Sequence, residues 1–258
     1  MNKIRLSIVT VTKDDATGLA RTLTSAVPLR VAGAEHLVID GGASPEMIGG
    51  TAGRGHEGVI FIARPPRGIA DAFNAGVSAA QGEWIWFLNG GDAVHETLDA
   101  AWLLALLTGT RADVVTGAVQ YDGDGAPRAI PSLATQWPML TCWLAHPATI
   151  IRRDKLVVIG GFDSSLRIAM DYDLWQRLLL DSVVDVISMP FARFDVNGLS
   201  QRRETHRLVC REEASVLLSH GGKLAAAVFR PVGNFLRRMT WALAHWRPRE
   251  KGMKHERD

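Results

Sequence analysis

Two cysteines in 258 residues, Cys142 and Cys210, provide no disulfide framework, and a reducing compartment is the simpler setting. Long apolar runs are absent as well. No uncharged apolar stretch reaches the roughly 18 residues that a membrane-spanning helix needs, so none is expected. Net charge is small, formally +2 at pH 7, too small to argue for a nucleic-acid partner, and none is expected. The opening residues Met1 to Ser7 lack the layered charge, apolar core and small-residue cleavage site of a secretion signal. A cytoplasmic protein is therefore the expectation. No internal repeat and no low-complexity segment occurs.

What is present is an ordinary globular composition, 47% apolar and 22% charged. That suffices to bury the core of one large α/β domain, with room for a small appendage. Short apolar, β-branched or aromatic runs predict strands over 6–11, 35–40, 58–63, 83–88 and 112–119, with a shorter one over 146–152. Helical spacing predicts helices over 18–27, 69–80, 97–107, 154–159 and 171–180. Strands alternating with helices argue for a mostly parallel sheet flanked by helices. Residues 121–138, with Asp122-Gly123-Asp124-Gly125 and three prolines, read as turns and loop.

The chemistry-bearing residues fall where such strands end. Trp84-Ile85-Trp86-Phe87-Leu88 runs into Asn89-Gly90-Gly91-Asp92. A carboxylate there lies where open α/β sheets bind ligands, and one or two carboxylates suffice for a hard cation that also contacts phosphate. The same Asp92 also suits the cap of the following helix, and both readings stay open. Asp40 ends the second strand, placed either to accept hydrogen bonds from a nucleoside or to close an Asx-turn before Gly41-Gly42. Asp171 and Asp173 open a helix, where the helix dipole favours carboxylates and where one can be aimed as a general base. Arg67, Asp71 and Asn74 lie on a loop entering a helix, which suits a phosphate or base carbonyl.

Taken in order, these segments resemble a family 2 glycosyltransferase of the GT-A type. The resemblance runs through Ser7-Ile8-Val9-Thr10-Val11-Thr12-Lys13-Asp14, Leu37-Val38-Ile39-Asp40-Gly41-Gly42, Arg67 to Gly76, and Gly82 to Asp92. It continues through His146-Pro147-Ala148-Thr149, Gly160-Gly161-Phe162-Asp163 and Asp171-Tyr172-Asp173-Leu174-Trp175. It implies a GT-A domain over 1–202, and the helical spacing and basic charge beyond Arg202 predict a helical, basic C-terminal extension over 203–258. It also implies that Val11, Thr12 and Asp40 line a nucleoside pocket, and that Asp71 and Asn74 shape the donor site. Asn89 and Asp92 would hold Mg²⁺ or Mn²⁺, and Asp171 would be the base of an inverting transfer. The implied donor is a nucleotide sugar of UDP type. The implied acceptor is a glycan or a lipid-linked glycan of cell-surface polysaccharide or glycolipid synthesis. Two departures stand out: Asn89 replaces the first acid of the family's DXD-type element, and Met170 replaces the acid before the base. A catalytically impaired nucleotide-sugar-binding partner or scaffold is the alternative. A nucleotidyltransferase would want a glycine-rich basic loop after the first strand, where Thr12-Lys13-Asp14-Asp15 stands instead.

Charge is unevenly spread. Residues 220–258 hold nine Lys or Arg against three acids. Residues 223–246 combine these with Phe229, Phe235, Trp241 and Trp246, broken at Pro231. A basic amphipathic helix of this kind suits peripheral contact with an anionic membrane at the inner face of the cell membrane. A helix packed on the domain with a solvated basic end suits the pattern equally.

Overall fold

The computed structural model describes residues 4–42, 58–65, 67–123, 126–128, 144–196, 198 and 204–220. The 223–246 segment and most of the 121–138 loop lie outside the described residues. One sheet of eight strands forms the centre: β1 (Leu6–Thr12), β2 (Glu35–Asp40), β3 (Val59–Ala63), β4 (Trp84–Asn89), β5 (Ala93–Val94), β6 (Val114–Tyr121), β7 (Thr149–Arg152) and β8 (Val184–Phe194). The helices are α1 (Ala16–Ser25), α2 (Val27–Val31), α3 (Ile69–Ala79), α4 (Ala100–Gly109), α5 (Arg153–Val158) and α6 (Met170–Leu178). A further helix, α7, spans 206–220.

Strand order is β3-β2-β1-β4-β7-β6-β8-β5. The β3-β2-β1-β4 half is parallel throughout. Beyond β4 the sheet is mixed, with β7 antiparallel to both neighbours, β6 parallel to β8, and β5 antiparallel on the edge. The order reverses at β1, because β2 lies on one side of it and β4 on the other. A crevice opens at the C-terminal ends of strands at such a switch point.

The apolar runs are continuous because both sheet faces are covered. Val9, Val11, Ile85, Phe87 and Ile151 point to one layer with α3 and α6. Leu6, Ile8, Trp84, Trp86 and Ile150 point to the other, with α4. Successive side chains alternate between the layers, as a pleated strand requires. The two buried indoles satisfy their N–H groups across the core, Trp84 on Leu107 O at 3.0 Å and Trp86 on Pro147 O at 2.7 Å. At Gly76 α3 comes close to the sheet, and a Cβ there would lie 2.3 Å from Val9 Cγ1.

Several elements differ in extent from the sequence reading. The helix expected over 97–107 begins at Ala100, because the Asp99 side chain accepts the Trp102 N–H at 2.7 Å and caps it there. Asp92 therefore caps no helix. The expected strand 146–152 is a 3-10 turn over His146–Ala148 followed by β7. Among the described residues no helix is long and apolar enough to cross a membrane.

Candidate active site

The switch-point crevice gathers most of the expected site. In the ladder, Thr12 stands opposite Asp40 and Val11 opposite Asn89. Gly41 N–H donates to Thr12 O and Gly90 N–H to Val11 O, each at 2.9 Å, so the chain leaves both strand ends in register. Asp40 is buried, 3% exposed, and its Oδ1 accepts the Gly42 N–H at 2.8 Å. The Asx-turn alternative for this residue is thus formed. A Cβ at Gly42 would lie 3.0 Å from both Asp14 Oδ1 and Asp40 Oδ1, so two carboxylates converge on that glycine. Thr12 Oγ1 is buried with no hydrogen-bond partner among the described residues, although native interiors seldom leave such a group unmet. A Cβ at Gly90 would come to 3.1 Å from it, so glycine keeps the approach open.

The turn after β4 is built around Asp92. Its carboxylate is 2% exposed. Oδ2 accepts the Asn89 N–H at 3.2 Å and Oδ1 accepts the Asp195 N–H at 3.0 Å. Thr22 of α1 holds the turn from below, its Oγ1 donating to Asp92 O at 2.6 Å and accepting the Gly91 N–H at 3.1 Å. Gly91 takes φ +105°, and a Cβ there would sit 2.6 Å from Asp195 Oδ2, so only glycine fits. Burial pushes the Asp92 carboxyl up to about 7, and the charge of Asp195 adds to this. Backbone hydrogen bonds from Asp195 and Asn89, and the Arg21 cation, act the other way.

Whether these groups suit a divalent cation can be judged from their chemistry. Asp92 and Asp195 are hard oxygen donors side by side, and their mutual repulsion is what a cation relieves. Among the described residues no three acid, imidazole or thiol groups converge into a ready-made cage. A hard cation held by these two carboxylates would have to complete its shell with diphosphate oxygens and water. Asn89 places an amide at the end of β4. Asp195 was not foreseen. It follows β8, a strand that the sequence reading did not recognise.

Asp71 and Asn74 of α3 are committed elsewhere. Asp71 receives Arg64 through two hydrogen bonds, 2.8 and 3.1 Å, and this bonding holds its carboxyl below the usual range. Asn74 brackets Phe162, with Nδ2 donating to its carbonyl and Oδ1 accepting its N–H, each at 2.8 Å. Its role in this structure is to fix the 160–163 turn. Arg177 fixes the same turn from α6, donating to Ile159 O and Gly161 O at 2.7 Å.

The two acids of α6 diverge. Asp173 is buried, with Oδ2 accepting Arg177 Nε at 2.9 Å and Oδ1 lying 2.8 Å from His220 Nε2. Asp171 is half-buried, and its Oδ1 accepts the Tyr172 N–H at 2.8 Å. Asp173 thus locks α6 in place, while Asp171 keeps the exposure a base requires. His146 sits among Phe73, Phe87, Phe162 and Trp175. Both of its ring nitrogens are buried without a partner, and so is Trp175 Nε1.

Residues 7–174 match the family model for Glycosyl transferase family 2. Two uncharacterized glycosyltransferases of Mycobacterium tuberculosis, from strains CDC 1551 / Oshkosh and H37Rv, are each similar at 27% identity over 209 residues. The match covers 77% of this chain and 78% of each relative. Among solved structures, S. aureus TarS 1–349 superposes with a TM-score of 0.65 at 16% identity, covering 96% of this chain and 77% of that one. The same protein in complex with UDP-GlcNAc gives a TM-score of 0.64 at 17% identity, covering 98% and 76%. At these identities the likeness to TarS is one of fold.

Proposed function

This chain belongs to Glycosyl transferase family 2, and from that membership we propose an inverting transfer of a sugar from a UDP-type nucleotide sugar to a hydroxyl acceptor. The observation that carries the donor reading is the buried Thr12 hydroxyl, unpartnered at the switch point beside Asp40, with glycine keeping its approach open. A nucleoside supplies the missing hydrogen bond there. Val11, Thr12 and Asp40 form its pocket. TarS, which shares the fold, is described in complex with UDP and with UDP-GlcNAc, and this supports a donor of that class.

Asp92 and Asp195, with the Asn89 amide, would hold Mg²⁺ or Mn²⁺. When bound, such a cation offsets charge on the departing diphosphate. Asp171 takes the proton of the acceptor hydroxyl. The acceptor oxygen forms its bond to the anomeric carbon as the bond to the diphosphate breaks, on the opposite face, which inverts the configuration. Asp71 and Asn74 shape the site indirectly, through Arg64 and through the Phe162 turn.

The test is thermal stability against UDP-, GDP- and dTDP-sugars, with and without Mn²⁺. We expect a Mn²⁺-dependent rise with a UDP-sugar, equivalent to roughly 3 kcal/mol at a hundredfold excess over Kd, and its loss in Asp92→Ala. No rise with any nucleotide sugar would overturn the donor reading. One observation favours the alternative of a non-catalytic nucleotide-sugar-binding partner: both Asp92 oxygens already accept backbone N–H groups. A donor-dependent rise without sugar release to any acceptor or to water would support that alternative.

We propose cell-surface polysaccharide or glycolipid synthesis as the setting, with a glycan or lipid-linked acceptor. The basic, tryptophan-bearing 223–246 segment supports peripheral contact with an anionic membrane. Binding to anionic liposomes should fall when the chain is cut near residue 220. Equal binding by the cut and full chains would remove the segment as an anchor.

A further inference from the structure

Helix α6 begins with an unsolved problem. The first N–H groups of any helix lack intrahelical partners, and Ala169 at its N-cap position offers no side-chain acceptor. A residue more than forty positions later supplies one for the N-cap residue and for the two residues that lead into it. Glu212 of α7, 8% exposed, accepts the Arg167 N–H on Oε1 at 3.0 Å. Its Oε2 accepts the N–H groups of Ile168 at 2.9 Å and Ala169 at 3.0 Å. The next two residues are Met170 and Asp171.

The same helix grips α6 at two further points. Val216 and Leu217 pack on Ala169 and Tyr172, and His220 Nε2 meets Asp173 Oδ1 at 2.8 Å. These contacts fall before Asp171 at 167–169, and after it at 172 and 173. These contacts of α7 bracket Asp171 on both sides. Three backbone amides bound by one carboxylate are a directional clamp, since each charge-assisted bond fixes the orientation of its peptide plane. Packing alone resists translation but leaves rotation about the helix axis less constrained.

We propose that Glu212 is a positioning residue for Asp171, holding the start of α6 at the angle from which that carboxylate meets the acceptor hydroxyl. The proposal rests on the reading of Asp171 as the base. Glu212 touches neither donor nor acceptor. It acts through the peptide groups of 167–169. Productive geometry tolerates little error, and a displacement of about 1 Å can cost on the order of a hundredfold in rate.

The experiment compares Glu212→Gln, Val216→Ala and Asp171→Asn in the full chain, using a UDP-sugar donor and following sugar release at a temperature well below unfolding. Glu212→Gln keeps the shape but replaces one accepting oxygen with a donating NH₂ that faces backbone N–H groups. It should lower kcat by about 10- to 100-fold, with KM for the donor unchanged. Val216→Ala loosens the same interface without touching the carboxylate. It should lower the melting temperature and keep kcat. Glu212→Asp, which draws the charge back by one methylene, gives the same reading should Glu212→Gln fail to fold: lower kcat, unchanged KM. If kcat survives in the Glu212 variants while Asp171→Asn is inactive, the positioning role is wrong and the base reading stands. If kcat falls equally in Val216→Ala, the helix is merely structural and the proposal is overturned. If Asp171→Asn keeps wild-type turnover, the base reading fails and the proposal falls with it.

Discussion

Replacing Asp171 with Asn should reduce sugar transfer by about 10²- to 10⁴-fold while the donor still raises the melting temperature as it does in the wild type. That is the range general-base catalysis supplies. Asn retains an Oδ1 that can accept the Tyr172 N–H, as Asp171 Oδ1 does. What is lost is the carboxylate oxygen proposed to take the proton of the acceptor hydroxyl. Loss of kcat with donor KM retained would mark an interaction made only in the transition state. Asp173→Asn is the contrast. Its carboxylate meets Arg177 and His220, so its loss should appear in stability and only secondarily in rate. If Asp173→Asn abolished turnover in a fully folded protein while Asp171→Asn did not, the assignment of the base would move by one half-turn of helix.

The sequence reading located these acids because strand ends and helix starts are local features. Glu35 to Asp40 is legible as a strand from six residues alone, and the structure places β2 over that span. The strand Val184–Phe194 was not legible, because Asp185, Ser188 and Pro190 interrupt its apolar pattern and its residues are mostly half-buried. Missing it hid Asp195, which gains significance only by following that strand to the Asp92 turn. Other contributions are invisible in principle from spacing. Asn74 meets Phe162 across 88 positions, and Glu212 meets 167–169 across more than forty. No periodicity predicts which amide group a distant side chain will bracket. The turn after β4 shows a different case, in which spacing pointed to Asp92 but not to how its carboxylate is held. Asp92 was read as a ligand or a cap. Its carboxylate instead accepts the Asn89 and Asp195 N–H groups and ties β4 to the end of β8, so any cation there must share a carboxylate that the backbone already uses.

His146→Phe should remove a stability loss that the wild type suffers between about pH 6.5 and pH 4. Although the residue keeps some exposure, both ring nitrogens are buried among aromatic groups. Burial lowers the imidazole from 6.5 to about 4. The unfolded chain therefore binds a proton near 6.5 that the folded chain refuses until about 4. In that window the unfolded state holds more protons, so stability is full above pH 6.5 and declines as pH falls. The loss integrates to roughly 3 kcal/mol. Phe extends the aromatic cluster and carries nothing to protonate, and His146→Leu is the smaller control against overpacking. Denaturant unfolding at several pH values measures the difference between wild type and variant, in which the other titrating groups cancel. That difference should be flat above pH 6.5 and widen toward pH 4. Parallel curves would mean that His146 becomes solvated or paired before it protonates. The acid limb belongs to other groups: Arg193 bonding and its own backbone hydrogen bond bring Glu96 from 4.5 to about 2, so its contribution is lost only as pH falls through that lower range. The two windows barely overlap. A wild-type-minus-variant difference that grows only between pH 6.5 and 4 therefore identifies the buried imidazole packed against α6 as its source, because the titrations of Asp92 and of the surface carboxylates are common to both proteins and cancel.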